Sequence, residues 1–296
     1  MKNKGFLTLI MLIAVIYIMI TNYSLKEIDK EYIDVGKFIE VVDSVSSNKA
    51  QINWKYVAAI TGVIEDNNLK KITTKEIEDI SKRFLHEDKG DYNLNSVDEV
   101  LNELDFNKKE KVLTHNYINQ LEGFGLMPKR LKNDSKYSEF IARIKADAIK
   151  NYEKHNVLPS ITIAQAILES GWGESKLAKD YNNLFGIKAD NYWEGEYITL
   201  ETREFEKDKI NGKFRKYNDP GESINDHAKF LAENKRYQQN GVFDANTYVY
   251  QAKALQKAGY STDSDEKGER VYADRLTEII RQYNLQLIDS EVQSKH

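Results

Sequence analysis

The segment QAILESGWGES, residues 165–175, combines residue types suited to acid catalysis. It places Glu169 in the last turn of an apolar helix, beside Trp172 and at a glycine-rich break. The negative end of the helix dipole and the apolar surroundings both disfavour a carboxylate, which predicts a raised pKa for Glu169. The glycines leave room for a ligand. A carboxyl group that stays protonated near neutral pH is what a general acid for glycosidic-bond cleavage requires.

The pattern around this segment predicts helices on both sides of a small β insertion. Helical spacing of apolar residues begins at 136, and the next helix is expected to take Ser160 as its N-cap. Between 184 and 217 aromatic and β-branched residues appear, and the dipeptide 211–212 (Asn-Gly) predicts a hairpin turn. A start signal at 219–222 (Asp-Pro-Gly-Glu) then returns the chain to helices.

Four motifs follow one another in this half of the chain: LESGWG at 168–173, NLFGIK at 183–188, FRKY at 214–217 and AGYSTD at 258–263. In order and in content they resemble glycoside hydrolase family 73, the bacterial endo-β-N-acetylglucosaminidases of the lysozyme-like superfamily. The resemblance covers about 140–285, roughly half the chain. It implies a mainly α protein whose catalytic domain is lysozyme-like α+β with a small β-hairpin lobe. It also implies cleavage of the GlcNAc-β-1,4-MurNAc bond in peptidoglycan glycan strands.

The resemblance implies that Glu169 is the catalytic acid. The family's second carboxylate lies in the β insertion in a Thr-x-Glu-Tyr/Phe context, which Glu204 matches within 202–205. Such a group would activate water or stabilise an oxocarbenium-like transition state, and retention and inversion both stay open. The other glutamates of the insertion remain competitors for this role: Glu194, Glu196, Glu201 and Glu206.

By the same resemblance Tyr260 lines the cleft and orients or stabilises the reacting sugar. Other aromatic and amide side chains are expected in the cleft wall as substrate-binding residues: Trp172, Tyr181, Asn183, Phe185 and Trp193. Core packing is the alternative for Tyr260 and Phe185, and a plain surface position is the alternative for Trp193. No metal or organic cofactor is expected, because two carboxylates and a water suffice and the five histidines show no ligand spacing.

An uncharged apolar run over 6–20, preceded by Lys2 and Lys4, opens the chain. Extended to residue 23, it reaches about the thickness of a bilayer's hydrocarbon core. We therefore expect a single-pass signal anchor at 1–25, which binds the membrane through residues 6–23 and holds the rest on the cell-wall side. A cleaved signal peptide is the alternative, although TNYS at 21–24 makes a poor cleavage site.

The composition argues against several classes of function. The 296 residues carry a net charge of −4, which argues against a nucleic-acid binder, and the lack of cysteine excludes disulfides and thiol catalysis. The predicted parts beyond the anchor are an all-helical module at 26–128, a linker at 129–137, the catalytic domain at 138–288 and a polar tail at 289–296.

The all-helical module has capping boxes at 73–76 and 96–99 and no strand-like alternation. It holds no motif with a mechanism. Docking of an envelope protein through 30–127 is favoured over inert spacing. For the chain as a whole two alternatives remain: a muramidase or lytic transglycosylase of the same fold, and a non-catalytic wall-binding scaffold.

Overall fold

The computed structural model of the chain describes residues 26–126, 135–204 and 208–295, with the side chains of 135, 202–204 and 208–210 left out. These residues form two compact units. The first contains 26–46 and 52–125, and the second contains 47–51 and the described residues from 126 onward. Within the described residues, no helix has the length and apolar character needed to cross a bilayer. The predicted anchor at 6–23 lies outside this part of the chain.

Helices make up most of the first unit: α1 Val35–Ser46, α2 Trp54–Ile64, α3 Thr74–Lys82, α4 Val97–Glu103 and α5 Lys108–Gln120. The two predicted capping boxes are confirmed, since the Thr73 and Ser96 side chains accept from Glu76 N and Glu99 N, respectively. Each carboxylate in turn accepts from the cap residue's backbone N–H. Two donors at each helix start are thereby satisfied.

The prediction of an all-helical module is wrong between α3 and α4. There β1 (Leu85–Asp88) and β2 (Asp91–Leu94) form an antiparallel hairpin. Lys89 and Gly90 have φ values of 54° and 95°, so the chain reverses through two residues in the left-handed region, as a primed hairpin turn requires. Because most of the hairpin side chains are exposed or half-buried, no clear apolar alternation marks these strands in the sequence.

The second unit is mainly helical with one small hairpin, as predicted. Its first part contains α6 Ser135–His155, α7 Pro159–Ser170, α8 Lys176–Tyr181, β3 Tyr197–Glu204 and β4 Asp208–Arg215. Its second part contains α9 Pro220–Glu233, α10 Lys235–Gln239, α11 Tyr248–Lys257, α12 Tyr272–Gln282 and α13 Gln286–Gln293. The central helix is α7, which contacts α6, α11, α12 and α13 and is buried from Pro159 to Ile167. Burial on all sides fixes the helix that carries Glu169.

The predicted N-cap of α7 is wrong. The cap residue is Leu158, Pro159 is the first helical residue, and Ser160 is buried inside the first turn. Ser160 N donates to Asp289 Oδ1 over 2.9 Å, and Ser160 Oγ donates to Asp289 Oδ2. A carboxylate from another helix therefore satisfies the start of α7.

The predicted polar tail is wrong as well, since Asp289 belongs to α13, whose Ile288, Asp289 and Val292 are buried. The apolar spacing Leu285, Ile288, Val292 is helical and gave the available signal for this element.

The hairpin of the second unit pairs β3 with β4 in antiparallel register from Tyr197–Arg215 to Glu204–Asp208. The turn predicted at 211–212 is wrong, because Gly212 lies within β4 opposite Leu200. Gly212 is buried there, as part of the strand rather than of a chain reversal.

Candidate active site

Glu169 lies at the end of α7, where the chain turns sharply away from the helix. Gly171, Trp172 and Gly173 have φ values of 55°, 64° and 78°, so three consecutive residues occupy the left-handed region. Ser170 Oγ stabilises this turn by accepting a hydrogen bond of 2.7 Å from Gly173 N. The carboxyl group opens into a cavity of about 480 Å³, whose wall includes Phe185, Arg215, His227, Arg236 and Tyr260.

The surroundings of Glu169 favour its protonated form. Solvent reaches the carboxyl group from the cavity, while protein encloses its other sides. Burial removes water from the carboxyl group and so raises the pKa of Glu169, and the negative charge of Asp263 raises it further. A hydrogen bond from Tyr272 Oη to Glu169 Oε1, 3.0 Å long, acts in the opposite direction and lowers the pKa. The net direction is upward, as the sequence predicts.

Tyr272 and Gln165 support Glu169 and were not singled out from the sequence. Gln165 Nε2 donates to Tyr272 Oη over 3.0 Å, and both side chains are buried. This bond uses the acceptor side of the Tyr272 hydroxyl, so its proton is directed at Glu169. The available signal was positional: Gln165 stands one helical turn before Glu169.

Tyr260 lines the same cavity, as predicted from the resemblance. Gly259, with a φ of 74°, turns the chain after α11 so that the Tyr260 ring stacks on Tyr272 at 5.2 Å. Its hydroxyl lies 3.0 Å from His227 Nε2. Burial raises the pKa of Tyr260 well above its ordinary value, and the charge of Glu169 adds to the effect. Both effects favour the protonated phenol.

Phe185 and Asn183 lie in the loop after α8 and have different surroundings. The Phe185 ring lines the cavity and stacks on His227, with centroids 3.9 Å apart. Asn183 is buried, and its amide donates to Ile187 O and Arg215 O while accepting from Ile187 N. These bonds hold the loop against β4, so Asn183 shapes the cavity wall without lining it.

The other three predicted wall residues do not line the cavity. Trp172 packs in an aromatic cluster with Tyr137, Phe140 and Tyr283. Trp193 faces the Arg215 guanidinium at 4.4 Å and donates from Nε1 to Glu196 O. Tyr181 ends α8, and its carbonyl accepts from Tyr217 N.

The hairpin is attached to α9 by a half-buried ion pair that the sequence did not reveal. Arg215 Nη1 contacts both oxygens of Asp226, at 3.0 and 2.9 Å, and Tyr217 Oη donates to Asp226 Oδ2 over 2.5 Å. Arg215 and Tyr217 are the second and fourth residues of the FRKY motif. This motif therefore positions the hairpin against the helical body.

Glu204, the predicted second carboxylate, is the last residue of β3, and its backbone pairs with Asp208. Its side chain lies outside the described part of the structure, as does the whole of Glu206. No group of three or more His, Asp or Glu side chains in the described ranges is arranged to hold a metal ion.

Comparison with known proteins identifies the family of the segment that builds this site. Residues 145–285 match the Glucosaminidase family, described as mannosyl-glycoprotein endo-beta-N-acetylglucosaminidase. Exo-glucosaminidase LytG of Bacillus subtilis is 45% identical over 158 residues, which are 51% of this chain and 52% of LytG. Peptidoglycan hydrolase FlgJ of Vibrio parahaemolyticus is 36% identical over 150 residues, which are 47% of this chain and 45% of FlgJ.

A solved structure, the catalytic domain of the autolysin Auto from Listeria monocytogenes, is 32% identical with a TM-score of 0.46, covering 59% of this chain and 96% of that domain. The chain spans about half the length of the curated relatives it matches. The matched segment contains Glu169, Tyr260 and Tyr272, so it includes the cavity described above. Residues 145–285 of this chain are therefore a domain of the glucosaminidase family.

Proposed function

We propose that this chain is a peptidoglycan hydrolase that cleaves the bond after N-acetylglucosamine in cell-wall glycan, with Glu169 as general acid. The observation that carries the proposal is the Glu169 carboxyl group at the cavity. Its pKa is raised, and the Tyr272 hydroxyl donates a hydrogen bond to it. A carboxylate held where water is partly excluded lowers the stability of the fold, and groups of this kind occur mainly at functional sites. The family of residues 145–285 and the hydrolase relatives support the same reaction.

In this reaction Glu169 transfers its proton to the glycosidic oxygen as the bond to the anomeric carbon breaks. The leaving sugar departs as an alcohol, and Glu169 is left as a carboxylate that accepts the Tyr272 hydrogen bond. Water then adds to the anomeric carbon and gives up one proton, which passes to Glu204 in an inverting reaction or back to Glu169 in a retaining one. The donor that lowers the Glu169 pKa in the resting enzyme therefore stabilises the carboxylate that the proton transfer produces.

Glu204 is the proposed second carboxylate, which activates the water or stabilises the positive charge on the sugar. Glu204 ends β3, and the partner strand β4 is attached to α9 through Arg215 and Asp226, so the hairpin that carries Glu204 is held on the helical body. Glu201, three residues earlier on the same strand, is the matched control. We expect Glu204→Gln to reduce the rate strongly and Glu201→Gln to leave it near wild type. The reverse result assigns the role to Glu201, and no loss in either variant favours a lytic transglycosylase, which needs one carboxylate.

The enzyme can cleave the glycan strand at internal bonds (endo) or from one end (exo). The family description names an endo activity, whereas the printed name of the Bacillus subtilis relative names an exo activity. We propose the endo mode, and the size distribution of early products tests it. Endo cleavage releases fragments of many lengths at once, whereas exo cleavage releases a single small product from the first minutes.

We also propose a location for the chain and a protein partner. Residues 6–23 anchor the chain in the cell membrane with the catalytic domain on the cell-wall side, and an envelope protein docks on residues 30–127. The apolar run and its flanking lysines support the anchor. Membrane flotation of the full chain, compared with a version beginning at residue 26, tests the anchor.

The decisive experiment for the reaction identifies the new chain ends. Purified peptidoglycan is digested with the full chain, and the products are reduced with borohydride and analysed by mass spectrometry. Reduced GlcNAc ends establish the proposed reaction. Reduced MurNAc ends indicate a muramidase, and 1,6-anhydro-MurNAc ends indicate a transglycosylase. A folded protein that binds the wall and produces no new ends is a scaffold, which contradicts the proposal.

A further inference from the structure

His227 of α9 is part of the cavity wall, with its polar atoms almost entirely enclosed. The side chain is 1% exposed, and its ring stacks on Phe185 with an interplanar angle of 11°. Nε2 lies 3.0 Å from the Tyr260 hydroxyl. Nδ1 is buried and has no hydrogen-bond partner within the described part of the protein. Tyr260 is thus the one polar side chain that the ring contacts there.

The imidazole is neutral, because burial lowers the pKa of His227 to about 3. A neutral ring carries its proton on one nitrogen only. If the proton were on Nδ1, a buried N–H would have no acceptor, which costs about 1–3 kcal/mol. If it is on Nε2, the unpaired atom at Nδ1 is a lone pair, and orphaned buried acceptors are tolerated better than orphaned N–H donors. The enclosure of Nδ1 therefore selects the tautomer that is protonated on Nε2.

This tautomer determines the direction of the hydrogen bond to Tyr260. His227 Nε2 donates to Tyr260 Oη, so the phenol's own proton is free for another acceptor. Tyr272 Oη already accepts from Gln165, and its proton points to Glu169 Oε1. Two acceptors are then within reach of the Tyr260 proton: Tyr272 Oη, whose hydroxyl forms a side-chain hydrogen bond with that of Tyr260, and an oxygen of a sugar bound in the cavity next to Glu169.

We infer that His227 is a positioning residue that makes Tyr260 a hydrogen-bond donor to the substrate. The inference rests on the proposed function for the identity of the substrate, a GlcNAc-containing glycan. It assigns the two rings different tasks: Tyr260 contacts the sugar, and His227 acts only through Tyr260. If the tautomer were reversed, Tyr260 would donate to His227 and offer the sugar only an acceptor.

The direct test is the protonation state of the two ring nitrogens. The full chain in detergent is labelled with ¹⁵N in its histidine rings, and His227 is assigned as the signal that disappears in His227→Gln. We expect Nε2 to carry the proton at neutral pH and Nδ1 to resonate as an unprotonated nitrogen. A proton on Nδ1 overturns the inference. This measurement does not depend on activity, so it decides the tautomer even if the proposed reaction fails.

Kinetics test the consequence for catalysis. His227→Phe keeps a ring stacked on Phe185 and removes the donor, so kcat is expected to fall about tenfold with little change in KM, as for the loss of one hydrogen bond. In a Tyr260→Phe background the same change should cost nothing further. His227→Gln, whose amide can donate, should recover part of the rate.

Two kinetic results contradict the inference: full kcat in His227→Phe, or an equal loss with and without the Tyr260 hydroxyl. If His227→Phe fails to fold, the Gln variant and the nitrogen signals still decide. A wild-type chain that releases no reducing ends refutes the proposed function instead, and the two failures are thereby distinguished.

Discussion

The Tyr272 hydroxyl donates to Glu169 Oε1 over 3.0 Å, from the first residue of α12 to the penultimate residue of α7. The pKa of Glu169 is subject to two opposing effects: enclosure by protein raises it, and the hydrogen bond from Tyr272 lowers it. The carboxyl group can therefore hold a proton in the resting state and still be stabilised after losing it. Gln165 fixes the Tyr272 hydroxyl from the other side.

Tyr272→Phe removes this donor and keeps the ring stacked on Tyr260. Because the hydrogen bond lowers the pKa of Glu169, its loss should raise that pKa, and the alkaline limb of the pH–rate profile should move to higher pH. We expect kcat to fall about tenfold, since the carboxylate formed during catalysis loses a charge-assisted bond. The profile of kcat against pH is the measurement, with Tyr283→Phe in the separate aromatic cluster as control. An alkaline limb that stays in place or moves to lower pH contradicts this account.

Glu169→Gln should change stability in a pH-dependent way. The folded pKa of Glu169 is raised above the ordinary 4.5, so the folded state binds the proton more tightly than the unfolded state. The stabilisation from Glu169 is complete below pH 4.5 and is lost as the pH rises through the folded pKa. The Tm of the variant should match wild type in acid and exceed it at neutral pH. Calorimetry at several pH values measures this, with the exposed Glu278→Gln as control, and a constant Tm difference would falsify the prediction.

Asp289 provides a second pH-dependent contribution, remote from the cavity. Its pKa is raised from 3.8 to about 7 because the carboxyl group is buried, although both hydrogen bonds from Ser160 oppose the rise. The stabilisation is complete below pH 3.8 and is lost as the pH rises to about 7. Asp289→Asn should remove this slope, because an amide does not titrate, and its oxygen can still accept from Ser160 N. Thermal unfolding between pH 4 and 8 provides the comparison.

Asp289→Ala serves as the contrasting variant. It leaves the Ser160 donors unpaired in the interior and should be less stable than Asp289→Asn by about 1–3 kcal/mol at every pH, since neither variant titrates at this position. If the Asn and Ala variants are equally stable, the bond from α13 to the start of α7 is not what stabilises this region.

Asp226→Ala tests the attachment of the hairpin. The paired side chains of Arg215 and Asp226 are only 13% and 17% exposed, so removing one partner leaves a poorly solvated charge and should cost about 3 kcal/mol. The segment 188–217 should become more sensitive to protease, and activity should fall because β3 carries Glu204. Denaturant unfolding and mapped proteolysis measure the two effects. Lys216→Gln breaks an exposed pair with Glu196 and should cost under about 1 kcal/mol; equal effects of the two variants would refute the attachment.

The sequence predicted the elements whose signals are local. The capping boxes at Thr73 and Ser96 and the Asp219 start of α9 were confirmed, because each depends on residues within one helical turn. The β1–β2 hairpin was missed because its strands are mostly exposed and carry no apolar alternation. The Asn-Gly turn signal at 211–212 failed because pairing with β3 overrode a local preference.

Within the site, the sequence indicated the residues of the four motifs but not the contacts between distant elements. The direction of the Glu169 pKa follows from a helix end and its apolar surroundings, so it was predictable. Gln165, Tyr272 and His227 act through bonds to residues on other elements, and of the three only Gln165, one helical turn before Glu169, had a signal in its local spacing. For the same reason Trp172, which belongs to the LESGWG motif, packs away from the cavity.

The most direct test of the central claim is the rate at which Glu169→Gln releases reducing ends from purified glycan strands, measured beside the wild-type full chain. The amide keeps the shape of the side chain and can still accept from Tyr272, but it has no proton to give. With binding to the glycan unchanged, the account predicts a rate about 10²–10⁴ times lower. A variant that binds the glycan and cleaves it at the wild-type rate would show that Glu169 is not the acid.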